Sequence, residues 1–182
     1  MRKLLLWLVM VAVMVAAILG GTAAFLYSRT GEDALPQEPV QFGDITLESN
    51  GWDWTVPVLG DKVTKTYERP TNLTVQKLGT FTDTIPQLML PAWVTSATVQ
   101  ITAPDGTTWS GDKSSCNTYT YAQNGDYQII VTAYHNDADA PGDPAGWYAY
   151  RAGFTMAMNP KVTLSTERAA QGSIVAIQLS GI

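Results

Sequence analysis

The 182-residue sequence contains one cysteine, Cys116, and one histidine, His135. A single cysteine makes no internal disulfide, whereas a secreted eukaryotic domain of this size often carries several. That scarcity favours a bacterial envelope protein stabilised by its core. Charge is also sparse, at 15% of residues. From Ser28 onward nine Lys and Arg face sixteen Asp and Glu, a net of −7, and no basic stripe follows Lys3. Nucleic acid is therefore not expected as a partner, because phosphate binding needs clustered Lys and Arg. Beyond the N-terminus, no stretch carries a convincing helical apolar period.

What the sequence does have is one long apolar run. Arg2 and Lys3 precede Leu4–Tyr27, which is uncharged. As a helix this run spans roughly 36 Å, against a hydrocarbon core of about 30 Å. A cleavable signal peptide has a shorter apolar region followed by a small-residue site. Thr22-Ala23-Ala24 offers such a site, yet Phe25, Leu26 and Tyr27 extend the apolar run past it. Residues 1–27 are expected to be an uncleaved single-span anchor. The positive charges ahead of it put the N-terminus in the cytoplasm and the remainder outside the cell membrane. Ala12, Ala16, Gly20 and Ala24 recur at four-residue spacing. Such a ridge can let helices approach closely, but an ordinary Ala-rich span explains it as well.

Residues 28–40 combine Gly, Pro and acidic residues and are expected to form an exposed stalk. Period 2 then dominates. In Ser96–Ala103, Ala97, Val99, Ile101 and Ala103 alternate with polar residues, and Pro104-Asp105-Gly106 supplies a turn. Tyr127, Ile129, Val131 and Ala133 form a second such face, and Tyr148, Tyr150, Ala152, Phe154, Met156 and Met158 a third. Shorter candidate strands are Ile45–Leu47, Trp54–Leu59, Leu73–Lys77, Thr118–Tyr121, Lys161–Leu164 and Ile174–Leu179. Frequent turns between short strands predict a mainly β, antiparallel sandwich over residues 41–159. Asn124-Gly125-Asp126-Tyr127 places a Tyr just after a Gly turn, as in the tyrosine corner of immunoglobulin-like domains. Residues 160–182 hold two strands, too few for a domain. Either they complete the first sandwich or, as expected here, they open a second β module that is cut short. Asn72-Leu73-Thr74 matches a glycosylation sequon, a triplet frequent by chance.

Several segments carry a family resemblance: Gly51-Trp52-Asp53-Trp54-Thr55-Val56-Pro57-Val58-Leu59-Gly60, Leu73-Thr74-Val75-Gln76-Lys77-Leu78-Gly79, Leu90-Pro91-Ala92-Trp93-Val94 and Gly146-Trp147-Tyr148-Ala149-Tyr150-Arg151-Ala152. Together they resemble the non-catalytic N-terminal region of membrane-anchored, lysostaphin-like zinc metallopeptidases of Gram-positive bacteria. In that family an anchor and Ig-like modules precede a domain that cuts peptidoglycan cross-bridges, and Gln171-Gly172 would open the second module. The resemblance implies a membrane-held spacer of a cell-wall peptidase. The alternative is a peptidoglycan- or glycan-binding module.

The family's zinc site needs an H-x-x-x-D pair and a later H-x-H. His135 and Asp139 show the first spacing, but no further histidine exists. Catalytic zinc usually takes three protein ligands. No catalytic site, metal or cofactor is therefore expected of this chain. Cys116, His135 and Arg151 are the residue types of a sortase-like thiol site, but they occur in the wrong order and without that family's motif. Asp137, Asp139 and Asp143 could offer oxygen ligands to calcium, yet the order of an EF-hand is missing. Trp52, Trp54, Trp93, Trp109 and Trp147 are rich in aromatic surface, which serves a core or a sugar ring equally. Trp52 and Trp54 share one strand face and are the candidate glycan-binding pair.

Overall fold

A computed structural model of the chain describes residues 2–60, 63–82, 84–136, 143–158, 161–164 and 177–180. The apolar run is one helix, α1 (Arg2–Arg29). Its segment Leu6–Arg29 has a mean hydropathy of 2.4, and its most apolar window is unburied. A helix that is apolar all round and packs on no protein core calls for an apolar solvent. This one is long enough to cross a membrane, by length and composition. Thr22 and Ser28 donate their hydroxyls to the carbonyls of Ile18 and Phe25, both at 2.7 Å, so neither adds an unsatisfied donor. At Gly20, on the small-residue ridge, a Cβ would meet nothing within 4 Å.

The described strands are β1 (Gln41–Phe42), β2 (Ile45–Thr46), β3 (Ser49–Pro57), β4 (Thr64–Arg69), β5 (Gln76–Phe81), β6 (Leu88–Met89), β7 (Ser96–Thr102), β8 (Thr108–Asp112), β9 (Gly125–His135), β10 (Ala145–Met156), β11 (Lys161–Leu164) and β12 (Ile177–Ser180). The large sheet runs β4–β3–β10–β9–β7–β8. All its neighbours on that path are antiparallel. β10 is the axis of this sheet. One side pairs with β9 from Gly146↔His135 to Met156↔Gly125. The other side is shared: its first half pairs with β3, and Ala152–Met156 pairs in parallel with β5. A register shift between Ala149 and Tyr150 precedes the handover. The connection from β4 to β5 crosses the sheet at Gly51, where a Cβ would sit 2.6 Å from Thr71 Cα.

The period-2 faces read from sequence are the buried ones. Ala97, Val99 and Ile101 of β7, Tyr127, Ile129, Val131 and Ala133 of β9, and Tyr150, Ala152, Phe154 and Met156 of β10 share one core. The small sheet β2–β1–β6 contributes Phe42 and Leu88 to that core. The Phe42 ring lies 5.0 Å from Phe154 and 6.0 Å from Phe81. The fold is thus mainly β, an N-terminal apolar helix followed by antiparallel sheets to which β5 adds one parallel pairing. The edge of β6 is closed by a side chain: Asn117 accepts from Leu88 N (2.8 Å) and donates to Leu88 O (3.0 Å). This mimics a strand partner and leaves no bare edge at Leu88.

Tyr127 makes the predicted corner. Its hydroxyl donates to Gln123 O at 2.9 Å and accepts from Gln123 N at 3.2 Å. Gly125 before it has φ +134°, a conformation that suits glycine. Tyr127→Phe strands both Gln123 backbone groups and is expected to cost about 1–2 kcal/mol. Urea denaturation of the full chain in detergent reads that loss, and an unchanged midpoint would show that the corner contributes nothing.

Some element boundaries differ from the sequence reading. β1, β4 and β6 are not among the strands the sequence predicts, and β5 begins at Gln76 rather than Leu73. Thr118–Tyr121 is not a strand, although Tyr121 is buried. β11 and β12 pair with each other, from Lys161↔Ser180 to Leu164↔Ile177, and not with the large sheet. Gln171-Gly172, proposed to open a second module, lies outside the described residues.

Candidate functional site

Residues 28–40 are mostly exposed, as expected of a stalk, but Leu35 and Val40 are buried. The segment runs as a strap docked onto the β domain beside the end of α1. The last turn of a helix presents carbonyls without intrahelical donors and a partial negative charge. Lys65 of β4 supplies what is missing, its Nζ donating to Thr30 O (2.6 Å) and Tyr27 O (3.3 Å). Tyr67, two residues along the same strand face, donates its hydroxyl to Thr30 O at 2.6 Å. The Lys65 ammonium also lies 5.2 Å from the Tyr27 ring and 5.1 Å from the Tyr67 ring. Sequence reasoning missed both residues because β4 is polar, although its alternation of Thr64, Thr66 and Glu68 with Lys65, Tyr67 and Arg69 carries a strand period.

The strap continues over an aromatic cluster. Leu35 is buried with Trp54 and Val56. Trp93 Nε1 donates to Glu38 O at 2.9 Å, and the Tyr148 hydroxyl donates to Pro36 O at 3.4 Å. Burial, and secondarily the charge of Glu32, pushes the Tyr148 phenol above its ordinary pKa, which keeps it a donor. The Trp54 ring centroid lies 5.0 Å from Tyr148 and 5.8 Å from Trp93. Trp54 is 0% exposed and has no face to offer a sugar, which removes it from the candidate glycan-binding pair. The reason is tertiary: the strap and β10 cover that part of the β3 face. Trp52 is half-buried, with the Arg69 guanidinium 5.1 Å from its ring. Trp109 packs on Tyr119, and Trp147 is half-buried, paired with Tyr134 and Asp53 on flanking strands.

The other sequence candidates are not brought together. His135 belongs to the strap cluster. Its Nδ1 donates to the Trp93 carbonyl, which can only accept, at 2.6 Å, and its ring stacks on Trp54 at 6.3 Å. Asp137 and Asp139 lie outside the described residues. Among the described residues no group of three or more His, Cys, Asp or Glu could hold a metal ion. Cys116 donates to Lys113 O at 3.3 Å, beside β6 and Asn117. Burial first, and the Asp112 charge after it, raises its thiol pKa, opposite to what a nucleophilic thiolate needs.

The far end of the large sheet holds a second pin. Asn124 accepts from Met158 N at 2.8 Å and donates to Met158 O at 3.1 Å. Nearby, the Thr107 hydroxyl and backbone N–H, then Gln123, hold the Asp105 carboxyl down at a pKa of about 2. The register sets the direction between the two pins. Lys65 is level with Val56, whose neighbour Thr55 pairs with Ala145 at the start of β10, and Met156 is the last residue of that strand. The separation is roughly 36 Å at ~3.3 Å per residue. Comparison with known proteins yields no match: no family model, no curated protein and no solved structure corresponds to the chain.

Proposed function

We propose that this chain is a membrane-anchored, extracytoplasmic spacer of a cell-wall metallopeptidase system, holding what it carries at a set distance from the membrane. The observation behind this reading is the pair of pins. The chain is clasped at Thr30 by Lys65 and Tyr67, and again at Met158 by Asn124, at the opposite end of β10. A solvated stalk would let the domain wander; a docked strap passes the position of the anchor into the sheet. Supporting the cell-wall context are the Trp-Asp-Trp and Gly-Trp-Tyr segments that resemble the lysostaphin-like family. On this reading α1 is uncleaved, its N-terminus is cytoplasmic, and the β domain reaches the peptidoglycan layer without cutting it.

The test is made on the full chain produced in a Gram-positive host. It is expected to sediment with membranes with Met1–Tyr27 retained by mass, and to leave purified peptidoglycan intact. Release of a shortened chain into the medium would overturn the anchor. Chelator-sensitive hydrolysis of peptidoglycan would overturn the non-catalytic role.

A further inference from the structure

We propose that the hairpin joining β3 to β4 is a second membrane contact, with Val58, Leu59 and Val63 resting on the outer leaflet beside the exit of α1. The inference rests on the reading of α1 as an uncleaved span.

The direction of β4 relative to the helix carries it. Tyr67 reaches only Thr30 O, whereas Lys65 reaches both Thr30 O and Tyr27 O. Tyr27 lies three residues nearer the membrane, about 4.5 Å down the helix axis. Moving from Tyr67 to Lys65 along β4 is therefore moving toward the bilayer. The strand continues the same way. Val63 comes two residues later, roughly 6–7 Å further on. Its carbonyl accepts from Val58 N (2.7 Å) and Leu59 N (3.3 Å), so these residues share that level.

The level is that of lipid headgroups. The apolar run is longer than the hydrocarbon core by roughly 6 Å, which puts Phe25 and Tyr27 at the boundary. Their surroundings suit it: the Arg29 guanidinium lies 5.2 Å from the Phe25 ring, and Lys65 lies between the rings of Tyr27 and Tyr67. Aromatic and cationic side chains mixed in this way are what membrane interfaces favour. Leu59 is 39% exposed at the hairpin, a large apolar side chain that the protein covers only in part, and Val58 and Val63 beside it are half-buried. Facing water it gains nothing; at the boundary between headgroups and acyl chains its exposed area is removed from water. Other exposed apolar side chains, such as Ile85 and Met89, line an open cleft of about 600 Å³ between β1–β2 and β5–β6, where nothing indicates an occupant.

The test uses the full chain reconstituted in phosphatidylcholine vesicles, with Cys116→Ser as background. A fluorophore is attached at position 59 after Leu59→Cys, or at position 108 after Thr108→Cys. Thr108 is exposed and starts β8 at the far end of the sheet. With nitroxide placed on the lipid headgroups, emission from position 59 is expected to fall about twofold or more while position 108 keeps its intensity. Equal emission changes at the two positions, in chains that float with the vesicles, would overturn the hairpin contact and leave the anchor standing. Failure to float would overturn the anchor, and this contact with it.

Discussion

Trp54→Ala is expected to lower the stability of the β domain by about 3–5 kcal/mol, while Trp52→Ala costs about 1–2 kcal/mol. The two residues sit on one face of β3, two positions apart, and differ only in what lies over them. Trp54 is 0% exposed and touches Trp93, Tyr148 and the stacked ring of His135. Removing the indole leaves a cavity whose walls are held by other elements: Trp93 by its bond to Glu38 O and His135 by its bond to Trp93 O. Such walls cannot collapse freely, which places the cost toward the upper part of the range. Trp52 loses its contact with Arg69 and an edge contact to Tyr148 at 6.2 Å, both partly in solvent. Urea denaturation of the full chain in detergent, followed by near-ultraviolet circular dichroism, separates the two. Equal losses for the two variants would contradict the buried position of Trp54. The same pair settles the use of the face. If insoluble peptidoglycan retains the chain, Trp52→Ala is the variant that tests for stacking on sugar, because any loss with Trp54→Ala is confounded by unfolding.

Leu35→Asp is expected to undock the strap at a cost of about 3 kcal/mol, since a carboxylate there gives up its hydration among Trp54 and Val56. A solvated stalk would absorb the same change at no cost, so the variant distinguishes the two directly. The loss is bounded by what docking itself contributes, because the chain escapes by lifting residues 30–39 off the sheet while Val40 stays in the larger core. The larger core of Val40, Val99, Ile129, Val131 and Phe154 shares only Trp93 and Tyr148 with the cluster under Leu35 and is expected to stay folded. The expected readout is new proteolysis within residues 28–40, with tryptophan emission shifted to the red as Trp54 meets water. Leu35→Met, which conserves volume, is expected to leave both unchanged. Protease resistance in Leu35→Asp equal to that of the parent chain would refute the docked strap.

The sequence by itself determined the helix, the strand class and the faces. Leu4–Tyr27 has no polar period, and nothing but a fully apolar helix matches it. Ala97, Val99 and Ile101, or Tyr127, Ile129 and Val131, alternate strictly, and alternation in a pleated strand assigns a side without any knowledge of neighbours. The tyrosine corner was legible for a similar reason, its bond spanning four residues. Only the tertiary structure decided which parts of those faces are covered. Trp52 and Trp54 are equivalent in period, composition and strand. A strap arriving from beside α1, and Trp93 and Tyr148 from elsewhere in the chain, made one of them core. The strap's Pro and acidic residues favour turns and solvent, and a lone Leu35 carries no period, so its sequence alone predicts a stalk. Lys65, Tyr67, Asn117 and Asn124 escaped notice on the same ground. Each satisfies backbone groups that are 29 to 38 residues away. A hydrogen bond of that span leaves no mark in local pattern, because it exists only once the sheet has brought the two segments together.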